Sequence, residues 1–199
     1  MTAVPATFVA RVALAAFAVF VALVTFGSAP LQARAAQSGA TSAKSPAGSA
    51  ENWLDLHNTH TGETLKITFR DDKGAFIPEA LEKLNVILGD HRSHEQTKMD
   101  PQLFVLLADL AAAAGVEPDY EIISGYRSSN TNETLRSNGG GQAKNSQHVE
   151  GKAIDVRLKG VPTLRLRDLA RDLKRGGVGY YRKSDFVHVD TARVRYWEG

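Results

Sequence analysis

The chain has 199 residues, enough for one domain with a sizeable core plus a targeting segment, and its formal net charge is +2 at pH 7. No basic block stands out, so a nucleic-acid partner is not expected. Cysteine is absent, which excludes disulfides, cysteine-type zinc ligands and thiol catalysis.

Arg11 precedes an apolar run from Val12 to Phe26, which Gly27, Ser28 and Pro30 break and Ala33-Arg34-Ala35 follows. A weakly positive start, an apolar centre and small residues form a secretory signal in order. The run is short for a membrane-spanning helix, which needs roughly 20 residues. Residues 1–35 are read as a signal peptide cut after Ala35 or Ala36, with an uncleaved inner-membrane anchor as the alternative. The protein is expected in the periplasm, as a monomer, touching membrane only through this segment. Residues 36–50 are rich in Ser, Ala and Gly and read as a disordered linker, and a folded domain is expected over 51–199.

Trp53, Leu54 and Leu56 begin a strand, and Leu65, Ile67 and Phe69 alternate with polar residues, which predicts a β-hairpin around Asn58–Glu63. Pro78 opens a helix with Leu81, Leu84, Ile87 and Leu88 at helical spacing. A second helix has Asp100 as N-cap, Pro101 at its first position, a buried face of Leu103, Leu106, Leu107 and Leu110, and Gly115 as its stop. Glu121–Ile123 is a short strand, and Asn130–Arg136 a short helix. Ala153–Leu158 reads as a strand with Ala153 and Asp155 on one face and Ile154 and Val156 on the other. Leu166, Leu169, Ala170 and Leu173 predict another helix, ended by Gly176-Gly177. Val178–Tyr181 and Phe186–Asp190 are two more strands, paired, with an edge over Arg193–Trp197. The expected class is α+β, a mostly antiparallel sheet with flanking helices.

The chemistry-bearing residues lie late in the chain. His148, Asp155 and His188 offer two imidazoles and a carboxylate, with Gly151 permitting a reversal between the first two. Three protein ligands and an open fourth position suit a catalytic rather than a structural zinc. By spacing alone they could also be ordinary hydrogen-bonded residues. His57, His60, His91 and His94 sit in loops and are read as exposed rather than as a second metal site.

Ser146-x-His148-x-x-Gly151-x-Ala153-x-Asp155 resembles the first zinc motif of the D-Ala-D-Ala metallopeptidases, relatives of lysostaphin and of the hedgehog signalling domain. Ser124-Gly125-Tyr126-Arg127-Ser128 and Asp185-x-x-His188 resemble that family's other two motifs. Asn58-x-His60-Thr61-Gly62-Glu63, Gly176-Gly177-Val178-Gly179-Tyr180-Tyr181 and Phe186-Val187-His188-Val189-Asp190 resemble its murein endopeptidase MepK branch, and the likeness runs from about Trp53 to Trp197.

The resemblance implies one zinc ion on His148, Asp155 and His188. It implies Asp185 as general base, standing where the family usually has Glu, with a shorter reach. Asp190 is the rival base or a carboxylate that orients a ligand imidazole. Arg127 is implied to stabilise the oxyanion or hold a substrate carboxylate, and Ser146 to hydrogen-bond substrate. The implied activity is zinc-dependent hydrolysis of peptidoglycan cross-links, at the meso-diaminopimelate to meso-diaminopimelate bond between stem peptides. The alternatives are a D,D-endopeptidase or carboxypeptidase at D-Ala, and a non-catalytic zinc-containing module that binds cell wall.

Overall fold

Period-two alternation dictates a sheet with one buried and one open face. The computed structural model describes residues 52–199; the expected signal peptide, its cut site and the linker lie outside the described residues. The elements are β1 (Trp53–Asn58), β2 (Thr64–Thr68), α1 (Pro78–Ile87), α2 (Pro101–Ala114), β3 (Asp119–Ser124), α3 (Ser129–Ser137), β4 (Ala153–Leu158), α4 (Thr163–Leu173), β5 (Gly177–Tyr181), β6 (Phe186–Asp190) and β7 (Arg195–Glu198). No helix among the described residues is long and apolar enough to cross a membrane.

The strands form one sheet in the order β2-β1-β3-β4-β6-β5-β7. Pairs β1–β2, β3–β4, β4–β6 and β5–β6 are antiparallel, whereas β1–β3 and β5–β7 are parallel. The class is α+β as expected, but the sheet is mixed rather than mostly antiparallel. Connectivity permits it: β2, α1 and α2 lie between β1 and β3, and the antiparallel β6 lies between β5 and β7, so neither parallel pair is joined by a direct hairpin.

Leu54 and Leu56 of β1, Ile122 of β3, Ile154 and Val156 of β4, and Val187 and Val189 of β6 point into one core. Leu103, Phe104, Leu107 and Leu110 of α2 and Leu166 and Ala170 of α4 meet them there. Tyr120 is fully buried, and its hydroxyl donates to the Leu107 carbonyl at 2.7 Å, so no polar atom is stranded. Asp100 caps α2 as expected, accepting the Gln102 amide at 3.0 Å. Helix α4 stops earlier than the glycine pair suggests. Lys174 adopts a left-handed conformation at φ 52°, and Gly177 opens β5 instead.

The pleat sends Ala153 and Asp155 of β4 and Phe186, His188 and Asp190 of β6 to the face away from these helices. That face carries the site.

Candidate metal centre

Asp155 and His188 are cross-strand partners in the β4–β6 ladder, so their side chains stand side by side. His148 arrives on the turn before β4. Ser146 Oγ accepts the His148 amide at 3.3 Å, and Gly151, at φ 66°, reverses the chain. A Cβ at Gly151 would also lie 2.8 Å from the Lys98 carbonyl, so the reversal needs glycine on two counts.

The three side chains converge. His148 Nε2 lies 3.1 Å from His188 Nδ1, His188 Nδ1 lies 2.9 Å from Asp155 Oδ1, and His148 Nε2 lies 3.3 Å from the same oxygen. A tetrahedral cation with ligand distances of about 2.0–2.1 Å spaces its donors about 3.3–3.4 Å apart. The triangle is close to one face of that tetrahedron. Both rings also have an outer partner: His148 Nδ1 donates to the Gly125 carbonyl at 2.7 Å, and His188 Nε2 donates to Asp190 Oδ2 at 3.0 Å. With those protons committed outward, the inward nitrogens of the neutral rings and Asp155 Oδ1 face one another as three acceptors, which only a proton or a cation can bridge. A buried arrangement of that kind is repulsive until a cation enters, so the residues fit a metal. Among the described residues, these three form the group able to hold one.

The surroundings hold the charge state. Burial opposes ionisation of Asp155, but the charges and hydrogen bonds of His148 and His188 outweigh it and keep the carboxyl well below the usual range. Burial likewise opposes a charged His188, yet hydrogen bonds to Asp155 and Asp190 raise its pKa above the ordinary value. Asp190 is fully buried, and bonds from His188, Arg195 and the Gly177 amide override that burial and keep it ionised.

Arg127 follows the end of β3, with 8% of its surface exposed. Its Nη2 lies 4.0 Å from Asp155 Oδ2, its hydrogen bonds to Asn132 and Ser124 are long at 3.3 and 3.4 Å, and its Nε has no partner. Burial pulls its pKa below the ordinary arginine value against the pull of Asp155.

Asp90 anchors this corner. Its Oδ2 accepts the Ser128 amide at 3.0 Å and Ser93 Oγ at 3.1 Å, and its Oδ1 accepts the Arg92 amide at 3.0 Å. Burial would raise its pKa, but hydrogen bonds from Thr131, Ser128 and Arg92 depress it below the usual range. A depressed folded pKa means stability present above the unfolded pKa, near 4, and lost as pH falls further. Asp90→Ala is expected to cost about 2–3 kcal/mol at pH 7. Urea titrations across pH should show that gap narrowing as pH drops below about 4; a gap independent of pH would refute the role.

The remaining expected site residues divide. Ser146 is buried at the base of the His148 turn, its oxygen accepting from the chain and its proton free to donate. Asp190 touches the His188 ring directly. The structure does not bring the Asp185 carboxylate into the group. It is exposed, accepts Thr163 Oγ1 at 2.6 Å at the start of α4, and stands 3.9 Å from Arg157 Nε. Asp185 lies three residues from His188, so strand alternation would already set the two on opposite faces, and its backbone leaves the strand conformation at φ 52°. Arg157 also binds the Ser184 carbonyl at 3.2 Å, clamping the turn into β6. His60 stacks on His91, ring centroids 3.9 Å apart, rather than grouping with His57. The sequence predicts only an edge strand at Arg195 and Trp197, yet Arg195 bonds Asp190 and Trp197 packs on His188. The signal was the Gly177-x-Gly179 alternation in β5.

Comparison with known proteins agrees with the motifs. The family model described as peptidoglycan L,D-endopeptidase MepK matches residues 46–197. A Haemophilus influenzae protein named "Probable peptidoglycan L,D-endopeptidase MepK" is 44% identical over 147 residues, covering 73% of this chain and 78% of that one. The Escherichia coli K12 protein named "Peptidoglycan L,D-endopeptidase MepK" is 42% identical over 144 residues, covering 72% of this chain and 79% of that one. No solved structure matches significantly. With three motifs in order and a family match across nearly all the described residues, the chain belongs to the MepK family of the D-Ala-D-Ala metallopeptidases.

Proposed function

We propose that the protein is an exported, periplasmic, zinc-dependent murein endopeptidase that hydrolyses peptide cross-links, specifically the meso-diaminopimelate to meso-diaminopimelate bond. The observation that carries the metal chemistry is the convergence of His148 Nε2, Asp155 Oδ1 and His188 Nδ1, each within 3.3 Å of the others. Two imidazoles and a carboxylate are a donor set suited to one zinc ion. The choice of bond rests on what the relatives' names say of them.

His148, Asp155 and His188 would hold the ion, which when bound polarises a carbonyl and lowers the pKa of a water to roughly 7. Arg127 presents a charged fork beside Asp155, placed to receive the developing negative charge of the scissile carbonyl or a free stem-peptide carboxylate. Ser146 offers its hydroxyl proton from the turn that carries His148. Asp190 orients His188 rather than accepting the proton of water, because its oxygens are already taken by His188, Arg195 and backbone amides. Asp185 would serve as base only by leaving Thr163. In its observed position it ties the turn before β6 to α4.

Asp185→Asn preserves an oxygen for Thr163. We therefore expect that variant to keep its metal and at least about a tenth of its turnover. A loss within the 10²–10⁴-fold range of a missing general base, with metal retained, would restore Asp185 to proton transfer.

The proposed activity is tested with protein lacking residues 1–35, incubated with defined muropeptides of both linkage types, with zinc or with chelator, and read by mass spectrometry. Chelator-sensitive cleavage confined to the diaminopimelate–diaminopimelate link is expected. Cleavage at D-Ala would keep the chemistry and change the substrate. Absence of cleavage by folded, zinc-loaded protein would overturn the enzymatic reading in favour of a cell-wall-binding module.

A further inference from the structure

Strand β5 separates β7 from the metal group on β6, yet two β7 side chains reach that group. The register explains how. Gly179 pairs with His188 on one side and with Trp197 on the other, and Gly177 pairs with Arg195. Val178 between them goes to the core. A Cβ at Gly179 would lie 2.5 Å from the Trp197 ring, and one at Gly177 would lie 2.5 Å from Arg195 Nη1 and 2.4 Å from Asp190 Oδ2. The space where β5 lacks side chains is therefore filled by β7.

Across that lane Arg195 grips Asp190 with both arms, Nη2 to Oδ2 at 2.7 Å and Nη1 to Oδ1 at 3.1 Å. Asp190 Oδ2 in turn accepts His188 Nε2 at 3.0 Å. The Trp197 ring leans on His188 with centroids 5.1 Å apart, and its indole nitrogen donates to the Tyr181 hydroxyl at 3.0 Å. On another side of His188 stands the edge of His148, centroids 4.9 Å apart. Arg195 itself lies over the Trp197 ring at 5.0 Å. His188 is thus held end-on by a carboxylate that an arginine fixes, and laterally by an indole that a tyrosine fixes.

We propose that β7 is the positioning strand of the metal centre: Arg195 and Trp197, reaching across Gly177 and Gly179, lock the His188 ring so that Nδ1 faces the cation. The inference rests on the reading that His148, Asp155 and His188 bind a divalent metal, and it holds whatever bond is cleaved. A bidentate arginine keeps the carboxylate in one plane, and a planar, fixed carboxylate keeps the imidazole in one tautomer and one rotamer. Neither β7 residue touches the metal position, so both act through His188.

The test compares Arg195→Met, Arg195→Lys and Gly179→Ala with the unaltered protein. Zinc affinity is measured by competition with a chromophoric chelator, ligand geometry by the visible spectrum of the cobalt(II)-substituted protein, and fold by melting of the metal-free form. Arg195→Met is expected to lose affinity by about ten-fold, the low end of the 10–100-fold effect of removing an outer partner of a metal-bound imidazole, because Arg195 acts through the partner Asp190. Its cobalt spectrum should change, while the metal-free melting temperature moves little. Arg195→Lys, able to keep one of two hydrogen bonds, should fall between. Gly179→Ala, which displaces the indole, should shift the spectrum in the same sense as Arg195→Met.

Affinities within about two-fold of the original protein with unchanged cobalt spectra would overturn the proposal. So would loss of metal-free stability without any change in affinity, since that is the mark of a strand that only closes the sheet. Should Arg195→Met fail to fold, Arg195→Lys and Gly179→Ala decide the matter on the same readouts. If the unaltered protein binds neither zinc nor cobalt, the metal reading itself fails. Binding without hydrolysis would instead sink the proposed activity and leave this inference standing.

Discussion

His188→Ala is expected to give a folded protein that neither retains a metal ion nor hydrolyses substrate. The fold should survive because no buried charge is wholly abandoned. Asp190 keeps Arg195 and the amides of Gly177 and Ala192, and Asp155 keeps the Arg127 charge at 4.0 Å. The metal should not survive, since the two remaining ligands, one on the turn and one on β4, give neither the affinity nor the geometry of three. The contrast can be read by melting. A ligand present at 1,000 times its dissociation constant stabilises by about 4 kcal/mol. For a domain of this size each kcal/mol is roughly 2–4 °C. Zinc should therefore raise the melting temperature of the unaltered protein by about 8–16 °C and that of His188→Ala by almost nothing. A preserved zinc shift together with stoichiometric metal content would remove His188 from the ligand set.

The sequence displayed faces more clearly than neighbours. Alternation along β4 and β6 placed Asp155 with Ala153, and His188 with Asp190, on one side, because the pleat has period two whatever strand lies alongside. The helix N-terminus at Asp100-Pro101 was equally readable, since an N-cap oxygen followed by a residue lacking an amide proton is a local statement. Strand order is not local. Nothing in residues 53–58 says that β3, some sixty residues later, will run parallel beside them; that follows from where α1 and α2 cross. Hence the mixed sheet escaped the sequence reading although its strands did not.

The site shows the same division. His148, Asp155 and His188 were marked by a motif, and the structure brings them together. Asp185 was marked by a motif as well, but its odd spacing from His188 already sets it off the His188 face of a regular strand, and where it goes instead depends on one backbone angle. A left-handed residue at the mouth of β6 turns the side chain toward Thr163, and residue type gives little warning of that. Arg195 and Trp197 carried no motif, and they matter because two glycines two strands from Asp155 leave room. Gly177-x-Gly179 reads as poor strand sequence until the side chains that occupy its missing Cβ positions are known.

Arg127→Met is expected to lower turnover by about 10²–10³-fold, the scale for removing one donor from an oxyanion site, while leaving zinc affinity within a few-fold. Stability should move the other way. The guanidinium is buried with an unpartnered Nε, and its two hydrogen bonds are at 3.3 and 3.4 Å. Desolvating a cation without good partners is unfavourable, and an apolar side chain of similar length removes that cost. The methionine variant should therefore melt at the same temperature as the original or higher. Arg127→Lys keeps the charge but not the fork, and should recover part of the lost turnover if charge matters and little if bidentate geometry does. Turnover within about five-fold of the original in Arg127→Met would show that the residue only packs, because an effect that small is far below what a lost oxyanion donor costs. A clear fall in stability would show that its partners in the resting protein are sufficient. The expected pairing of lost turnover with gained stability has one physical source. A cation held dry and short of good acceptors is an unfavourable feature of the free protein, and on the proposed role it would become favourable once a substrate oxygen reached it.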